Sequence, residues 1–127
     1  MAKLRHIAIS VPDLEKAAQF YETVFGMERH SANPVAINLS DGVMNVTILK
    51  FPTDKMAGDA RGKDFIGIHH MGFEVEDTAE VGRLVEENGG RYMAEAPSPP
   101  GRNAEQKYSD PNGIVFDLSS HGWLGTS

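Results

Sequence analysis

The sequence predicts an α+β fold, built from two copies of a unit in which a strand and a helix precede three further strands. Three observations lead to this fold class. The chain resembles itself after a shift of 64 positions, each copy contains an amphipathic helix ended by glycine, and each copy contains an Asp-Gly or Asn-Gly hairpin turn. At 127 residues the chain has the size of one domain, so we expect a single domain over residues 1–127.

The repeat rests on identical residues at equivalent positions. The identical pairs are His6 with His70, Val11 with Val75, Asp13 with Asp77, Glu22 with Glu86 and Gly26 with Gly90. Module 1 is expected over about residues 1–52 and module 2 over about residues 64–120. The polar, glycine-containing stretch 52–63 is expected to join them as a surface loop.

Each module contains one helix with an acidic residue at its start. The first helix is predicted from about Asp13 to Val24 and the second from about Asp77 to Asn88. Helical spacing gives apolar faces made of Leu14, Ala17, Ala18, Tyr21, Val24 and Phe25 in the first helix, and of Val81, Leu84 and Val85 in the second. Glycine follows each helix and supplies the left-handed residue that ends it.

Strands fill the remainder of each module. After the opening strand and the helix, module 1 is predicted to form strands over 27–31, 35–39 and 43–51, and module 2 over 91–94, 105–109 and 114–119. Asp-Gly and Asn-Gly pairs favour the tight type I′ turns of hairpins, because both central residues need positive φ.

Composition excludes several classes of protein. The chain has no cysteine, so disulfides, iron–sulfur clusters and cysteine-ligated zinc are excluded. Its net charge of −6 argues against binding to nucleic acid. No apolar run has the roughly 18 residues that a membrane span needs, and the first residues lack the apolar core of a signal peptide. A cytoplasmic protein that binds neither membrane nor nucleic acid is therefore expected.

Three side chains are candidate metal ligands. Because strand side chains alternate between faces, His6 and His70 point away from their apolar neighbours, and each is followed two residues later by a small residue. Asp117 lies in the middle of an otherwise apolar strand, where Ile114, Phe116 and Leu118 are expected on the apolar face. Together they compose a two-histidine, one-carboxylate set. A histidine on a strand also suits a structural role, and Asp117 alone could cap a turn or pair with Arg or Lys.

Three segments resemble the vicinal oxygen chelate superfamily, which includes glyoxalase I, methylmalonyl-CoA epimerase, fosfomycin-resistance enzymes, bleomycin-resistance proteins and extradiol dioxygenases. The opening segments 4–14, 20–21 and 25–27 (LRHIAISVPDL, FY and FGM) are similar to the start of its first module. Residues 67–75 (GIHHMGFEV) resemble the start of its second module, most closely in the epimerase, and residues 110–118 (DPNGIVFDL) resemble its closing hairpin.

The resemblance implies two βαβββ modules that form an open, curled, mixed sheet around a metal cavity. By position it implies that His6, His70 and Asp117 hold one divalent metal ion, which could be Zn, Ni, Co, Mn, Mg or Fe(II). It selects His70 and leaves His69 as structural. Most members carry glutamate in place of Asp117, and the glyoxalase and epimerase branches use a further Glu or Gln near Thr47, which this chain lacks.

The resemblance also implies the activity. A divalent-metal-dependent lyase or isomerase acting on a small oxygenated molecule is expected, with proton transfer next to a carbonyl as its chemistry. Because a three-residue ligand set leaves open positions on the ion, an extradiol-type Fe(II) dioxygenase is an alternative. A metal-free ligand-binding protein of the bleomycin-resistance kind is a second alternative. Relatives commonly build their sites from two chains, so a homodimer is expected.

Further residues have candidate roles around this site. Glu74 shares the face of His70 and is the candidate proton carrier, although a solvated strand end is the alternative. Thr47, Arg102 and Tyr108 are candidate substrate-binding residues, and Lys107 could bind an anionic group together with Arg102. His30 is interpreted as structural, and the tail that holds His121 and Trp123 is expected over a cavity mouth, against a partner chain or docked on the domain.

Overall fold

The computed structural model describes residues 1–58, 61–95 and 105–127 of the chain. These residues contain eight strands and three helices, which in chain order are β1 (Lys3–Ser10), α1 (Leu14–Phe25), β2 (Glu28–Ala32), β3 (Ala36–Ser40), β4 (Asn45–Leu49), α2 (Asp54–Ala57), β5 (Gly67–Glu74), α3 (Thr78–Glu87), β6 (Arg91–Glu95), β7 (Gln106–Ser109) and β8 (Val115–Ser119). The predicted α+β class, with a strand, a helix and three strands in each half, is confirmed.

The chain divides into two compact units, each assembled from two stretches of sequence. Unit 1 consists of Met1–His6 and His70–Gly122, and unit 2 consists of Ile7–His69 and Trp123–Ser127. Among the described residues, the strands of unit 1 follow the order β1-β5-β8-β7-β6, and those of unit 2 follow β2-β3-β4-β1. β5 and β8 are parallel. The antiparallel pairs are β2 with β3, β3 with β4, β6 with β7, and β7 with β8. The assignment of both modules to one domain stays a prediction.

Both long helices begin and end as the sequence predicts. The Asp13 carboxylate accepts a hydrogen bond from the Lys16 amide at 3.1 Å, and Asp77 does the same for the Glu80 amide at 3.1 Å. Each cap satisfies an amide that the first helical turn leaves without a partner. Gly26 has a φ of 66° and ends α1 in the left-handed conformation. The repeat therefore preserves the amino-terminal caps, whereas α3 ends at Asn88 with a φ of −109°.

Three sequence predictions about packing are wrong in part. Val24 and Phe25 are 55% and 66% exposed, Leu84 is 44% exposed, and Ile114 is 53% exposed and precedes β8. Periodicity identifies the apolar side of a helix but not how far the strands beneath it extend. The predicted loop 52–63 also contains α2, because the Thr53 hydroxyl accepts a hydrogen bond from the Met56 amide at 3.2 Å and caps a short helix.

Each unit has its own hydrophobic core between its helix and its strands. In unit 2 the buried core consists of Ala18, Ile37, Leu39 and Ile48, and in unit 1 it consists of Val75, Tyr108, Phe116 and Leu118. Strand side chains that point away from these apolar cores are buried too, and many of them are polar. His6, Ser10 and Asp117 are 3%, 0% and 0% exposed. Buried polar groups need compensating partners, so this second face is where chemistry is expected.

Candidate metal centre

Three strands of unit 1 bring the predicted ligands together. β1 carries His6, β5 carries His70 and β8 carries Asp117. The parallel register of β5 and β8 places Gly72 opposite Asp117, and His70 lies two residues before Gly72, on the same face of β5. Residues separated by 64 and 47 positions in the sequence therefore meet because neighbouring strands carry them.

The ligand atoms form a tight, buried cluster. Nε2 of His6 lies 3.3 Å from Nε2 of His70, and Nε2 of His70 lies 3.0 Å from Oδ2 of Asp117. One nitrogen or oxygen atom from each of the three residues lies within 4.8 Å of the others, and all three residues are buried. The cluster forms within one chain.

The arrangement fits a divalent cation. Oδ2 of Asp117 is fully buried and accepts no hydrogen bond within the described residues, although the His70 ring nitrogen lies near it. Two atoms that each lie about 2.1 Å from one ion are about 3 Å apart when they subtend a right angle at it. The observed separations are close to this value. Imidazole nitrogen and carboxylate oxygen together suit Zn, Fe, Co, Ni or Mn.

A lysine holds the other carboxylate oxygen. Nζ of Lys107 donates to Oδ1 of Asp117 at 2.8 Å, and the two residues are register partners on the antiparallel strands β7 and β8. The alternative interpretation of Asp117, a pair with a basic residue, therefore holds for Oδ1, while Oδ2 belongs to the histidine cluster. Sequence reasoning placed Lys107 beside an anionic substrate and did not identify it as the partner of Asp117.

The electrostatics keep Asp117 ionised. Burial opposes ionisation of its carboxyl, but the contacts with His70 and Lys107, together with a side-chain hydrogen bond with Glu105, outweigh burial. The pKa of Asp117 therefore lies well below its ordinary value. A carboxylate that carries its charge at every physiological pH is available as a metal ligand.

Glu74 does not lie within this cluster. It is half-buried at the end of β5, opposite Ser119, and its carboxylate makes no hydrogen bond or ion pair with a described residue. It follows His70 by four residues, which is about 13 Å along an extended strand. Its role as proton carrier stays a prediction without geometric support.

The predicted substrate-binding residues that the structure describes are not members of the metal-ligand cluster. Tyr108 lies in the core of unit 1, where its ring stacks on Phe116 with centroids 6.1 Å apart, and burial raises its pKa. The Thr47 hydroxyl lies 2.9 Å from Oδ1 of Asn38 and 2.7 Å from Oδ1 of Asn45, within a buried network of unit 2. Arg102 lies outside the described residues. The binding roles of all three stay predictions.

The carboxyl-terminal tail is docked on unit 2. The carbonyl of Gly125 accepts a hydrogen bond from the Ser40 hydroxyl at 2.7 Å, and the carbonyl of Leu124 accepts one from Nδ2 of Asn45 at 3.1 Å. Of the alternatives for the tail, docking on the chain itself is the one observed.

Two histidines outside the cluster differ in setting: His30 is exposed, and His69 is buried with its ring centroid 4.9 Å from that of Phe51.

Comparison with known proteins gives the family and two kinds of relative. Residues 3–118 match the model of the Glyoxalase/Bleomycin resistance protein/Dioxygenase superfamily. The mitochondrial methylmalonyl-CoA epimerase of Bos taurus is 32% identical over 85 residues, 61% of this chain and 49% of the relative. The trivalent organoarsenical cleaving enzyme of Thermomonospora curvata is 34% identical over 86 residues, 65% of this chain and 52% of the relative. The chain thus matches about half the length of these relatives.

A solved structure supports the same fold. The methylmalonyl-CoA epimerase of Streptomyces coelicolor, in complex with 2-nitronate-propionyl-CoA, superposes with a TM-score of 0.69 at 17% identity, over 91% of this chain and 94% of that one. Among the described residues, no helix has the length and apolar character to cross a lipid bilayer. From the family match over residues 3–118, the chain belongs to the Glyoxalase/Bleomycin resistance protein/Dioxygenase superfamily.

Proposed function

We propose that this protein is a divalent-metal-dependent isomerase or lyase that acts on a small molecule chelated through two oxygens. The observation that carries the proposal is the convergence of His6, His70 and Asp117 in one buried cluster, with a carboxylate oxygen that no described hydrogen bond satisfies. A three-residue set leaves open positions on the ion for a chelating substrate. Relatives named for the epimerisation of coenzyme A thioesters support this reaction class.

We assign different roles to the residues in and beside the cluster. His6, His70 and Asp117 would hold the ion, which when bound supplies Lewis-acid polarisation of a carbonyl oxygen. Burial of all three side chains limits the access of water to the ligand atoms. Glu105 is half-buried and interacts with the carboxyl of Asp117, whose pKa it helps to lower, so we propose its carboxyl as a second candidate, beside Glu74, for proton transfer at the substrate carbon.

The substrate class follows from this division. Epimerisation requires an acidic C–H next to a carbonyl, and chelation requires a second oxygen close to it. A 2-substituted malonyl thioester offers a thioester carbonyl and a carboxylate on either side of such a carbon. We therefore propose acyl thioesters with a second carbonyl or carboxylate group as substrates.

Metal content tests the ligand set. Protein purified without chelator and then saturated with Co²⁺ is expected to hold about one ion per chain, and His70→Ala to hold less than about a tenth of that. The matched control is His69→Ala, since this neighbouring histidine is equally buried but lies outside the cluster. A wild-type protein that takes up no metal would instead favour the metal-free binding protein.

Isotope exchange tests the reaction class. Methylmalonyl-CoA incubated with metal-loaded protein in D₂O is expected to exchange its 2-hydrogen, as followed by NMR. Glu105→Gln is expected to slow this exchange by about 10²-fold or more while keeping the ion. Full exchange activity in the variant would remove Glu105 from the mechanism and leave the metal site intact.

The ligand inventory favours one second candidate, an Fe(II)-dependent dioxygenase. Two histidines and one carboxylate are the facial set of non-haem iron oxygenases, and Thr47 occupies in unit 2 the register position that Asp117 has in unit 1, without a carboxylate. Oxygen uptake by the anaerobically Fe(II)-loaded protein on addition of a catechol would favour it.

The absence of cysteine argues against a trivalent arsenical held by protein thiolates.

We further propose a homodimer. Three exposed apolar side chains, those of Phe20, Val24 and Phe25, lie together in the last two turns of α1, and exposed apolar patches are typical of protein interfaces. Size-exclusion chromatography with light scattering is expected to give twice the monomer mass. Phe25→Glu is expected to shift the protein to monomer without loss of the ion, because the ligand cluster lies within one chain.

A further inference from the structure

We propose that Lys107 is a positioning residue that restricts Asp117 to a single metal-binding oxygen and thereby keeps one position on the ion open for an anionic chelating substrate. This inference rests on the proposed metal site. Lys107 would act by orienting the carboxylate of Asp117 and would not itself contact the substrate.

The geometry divides the two oxygens of Asp117 between two partners. The Lys107 ammonium is hydrogen-bonded to Oδ1 at 2.8 Å, while Oδ2 lies 3.0 Å from Nε2 of His70 and is buried without a hydrogen bond among the described residues. A carboxylate can bind an ion through one oxygen or through both. Because the ammonium occupies one lone pair of Oδ1 and competes with a cation there, Oδ2 is the oxygen favoured for binding the ion.

The strands fix this division. Lys107 and Asp117 are register partners on β7 and β8, so the ammonium approaches the carboxylate from the neighbouring strand. The Asp117 side chain is fully buried and that of Lys107 is 25% exposed. A charge-assisted hydrogen bond to a buried carboxylate is among the stronger interactions of a protein interior, so it persists beside a bound ion.

The pair also sets the charge around the ion. Lys107 balances the negative charge of Asp117, and His70 and Glu105 are the other ionisable groups that act on this carboxylate among the described residues. The lysine therefore weakens the attraction of the site for a cation but strengthens its attraction for an anionic ligand of that cation. Removal of the lysine is expected to move the two affinities in opposite directions.

The test measures the affinities for Co²⁺ and for an anionic chelator in variants that replace Lys107 by side chains of similar length. Co²⁺ affinity is determined by competition with a chelating dye, and its visible absorption spectrum reports the ligand geometry. Oxalate, a dianion that chelates through two oxygens, is then titrated into the Co²⁺-loaded protein. Lys107→Met is expected to bind Co²⁺ about tenfold more tightly and oxalate about tenfold more weakly, with a changed spectrum. Lys107→Arg, which keeps the charge, is expected to stay within about threefold of wild type.

The control is Lys63→Met, which breaks an exposed pair with Asp64 and is expected to leave both affinities unchanged. If Lys107→Met binds Co²⁺ no more tightly than wild type, or binds oxalate equally well, the role assigned to Lys107 is overturned while the metal site stands. If wild-type protein binds no Co²⁺, the proposed function fails and this inference fails with it. A spectrum identical in wild type and Lys107→Met also overturns the inference.

Discussion

The imidazole rings of His6 and His70 meet with their Nε2 atoms 3.3 Å apart and their ring centroids 5.2 Å apart. Both side chains are buried. Only one N–H fits between two facing ring nitrogens, so one of the two nitrogens has to present its lone pair. A divalent ion would use both lone pairs at once and take the place of this single hydrogen bond.

Metal binding is therefore expected to stabilise the folded protein. At a free Co²⁺ concentration of about 100 times Kd, linkage gives about 2.7 kcal/mol of stability, or a rise in Tm of roughly 10 °C for a domain of this size. Differential scanning fluorimetry with and without Co²⁺ measures this rise in wild type and in His69→Ala. In His6→Ala the rise is expected to disappear, and an equal rise there would exclude His6 as a ligand.

The stability of the metal-free protein is expected to depend on the charge of Asp117. Its pKa lies below the ordinary value in the folded state, so its contribution is fully present above about pH 5 and is lost as the pH falls, because the unfolded chain takes up its proton near pH 3.9. We expect the free energy of unfolding of wild type, relative to that of Asp117→Asn, to shrink by about 1 kcal/mol between pH 6 and pH 3. Urea unfolding in the presence of EDTA measures it.

The matched comparison for this pH series is Asp64→Asn, which changes an exposed carboxylate. Its difference from wild type is expected to vary little over the same pH range. An Asp117 difference that grows on acidification would show that the carboxyl is not held in its ionised form.

A methyl group added at Gly82 is expected to destabilise unit 1. Gly82 is buried in α3, and a Cβ there would overlap the hydroxyl of Tyr108, whose ring is held between Tyr92 and Phe116. Alanine normally stabilises a helix by about 1 kcal/mol relative to glycine, but here the overlap is expected to cost about 2 kcal/mol net. Chemical denaturation measures the loss, and adding Tyr108→Phe is expected to recover part of it. A stabilised Gly82→Ala variant would contradict this packing.

Substitution of Gly125 is expected to release the tail from unit 2. Gly125 has a φ of 82°, and a Cβ there would overlap the side chain of Ser40. Trp123 is the chain's one tryptophan, so its fluorescence reports tail docking directly. In Gly125→Ala, iodide quenching is expected to increase about twofold or more. Gly42→Ala is the control, since Gly42 also has positive φ but no atom lies near its added methyl group, and unchanged quenching in both variants would contradict the docking.

Local chemistry made much of this fold predictable from the sequence. Asp13, Asp77 and Gly26 mark helix ends because capping depends on residues within one turn of the chain. Strand alternation similarly placed His6 and His70 away from their apolar neighbours. The 64-residue repeat then related these two histidines, the position of Asp117 in an otherwise apolar strand added a third candidate ligand, and the family resemblance implied the same three residues.

The remaining features depend on contacts that no local pattern encodes. Lys107 meets Asp117 because of the register between β7 and β8, and alternation alone cannot identify which residues of two strands are opposite each other. The exposure of Val24 and Phe25 depends on the tertiary packing of α1, which helical periodicity alone does not encode. The role of Glu74 as proton carrier stays a prediction, since a shared strand face does not fix distance along the strand.

The division of the chain has a consequence for synthesis. Met1–His6 belongs to the same unit as His70–Gly122, so the candidate ligand His6 leaves the ribosome long before His70 and Asp117. At about 5–20 residues per second, roughly 6–20 s separate His6 from Asp117. The nascent segment that carries His6 must stay unpaired or find temporary partners during this interval, and an ion that needs all three side chains could be captured only after Asp117 has been synthesised.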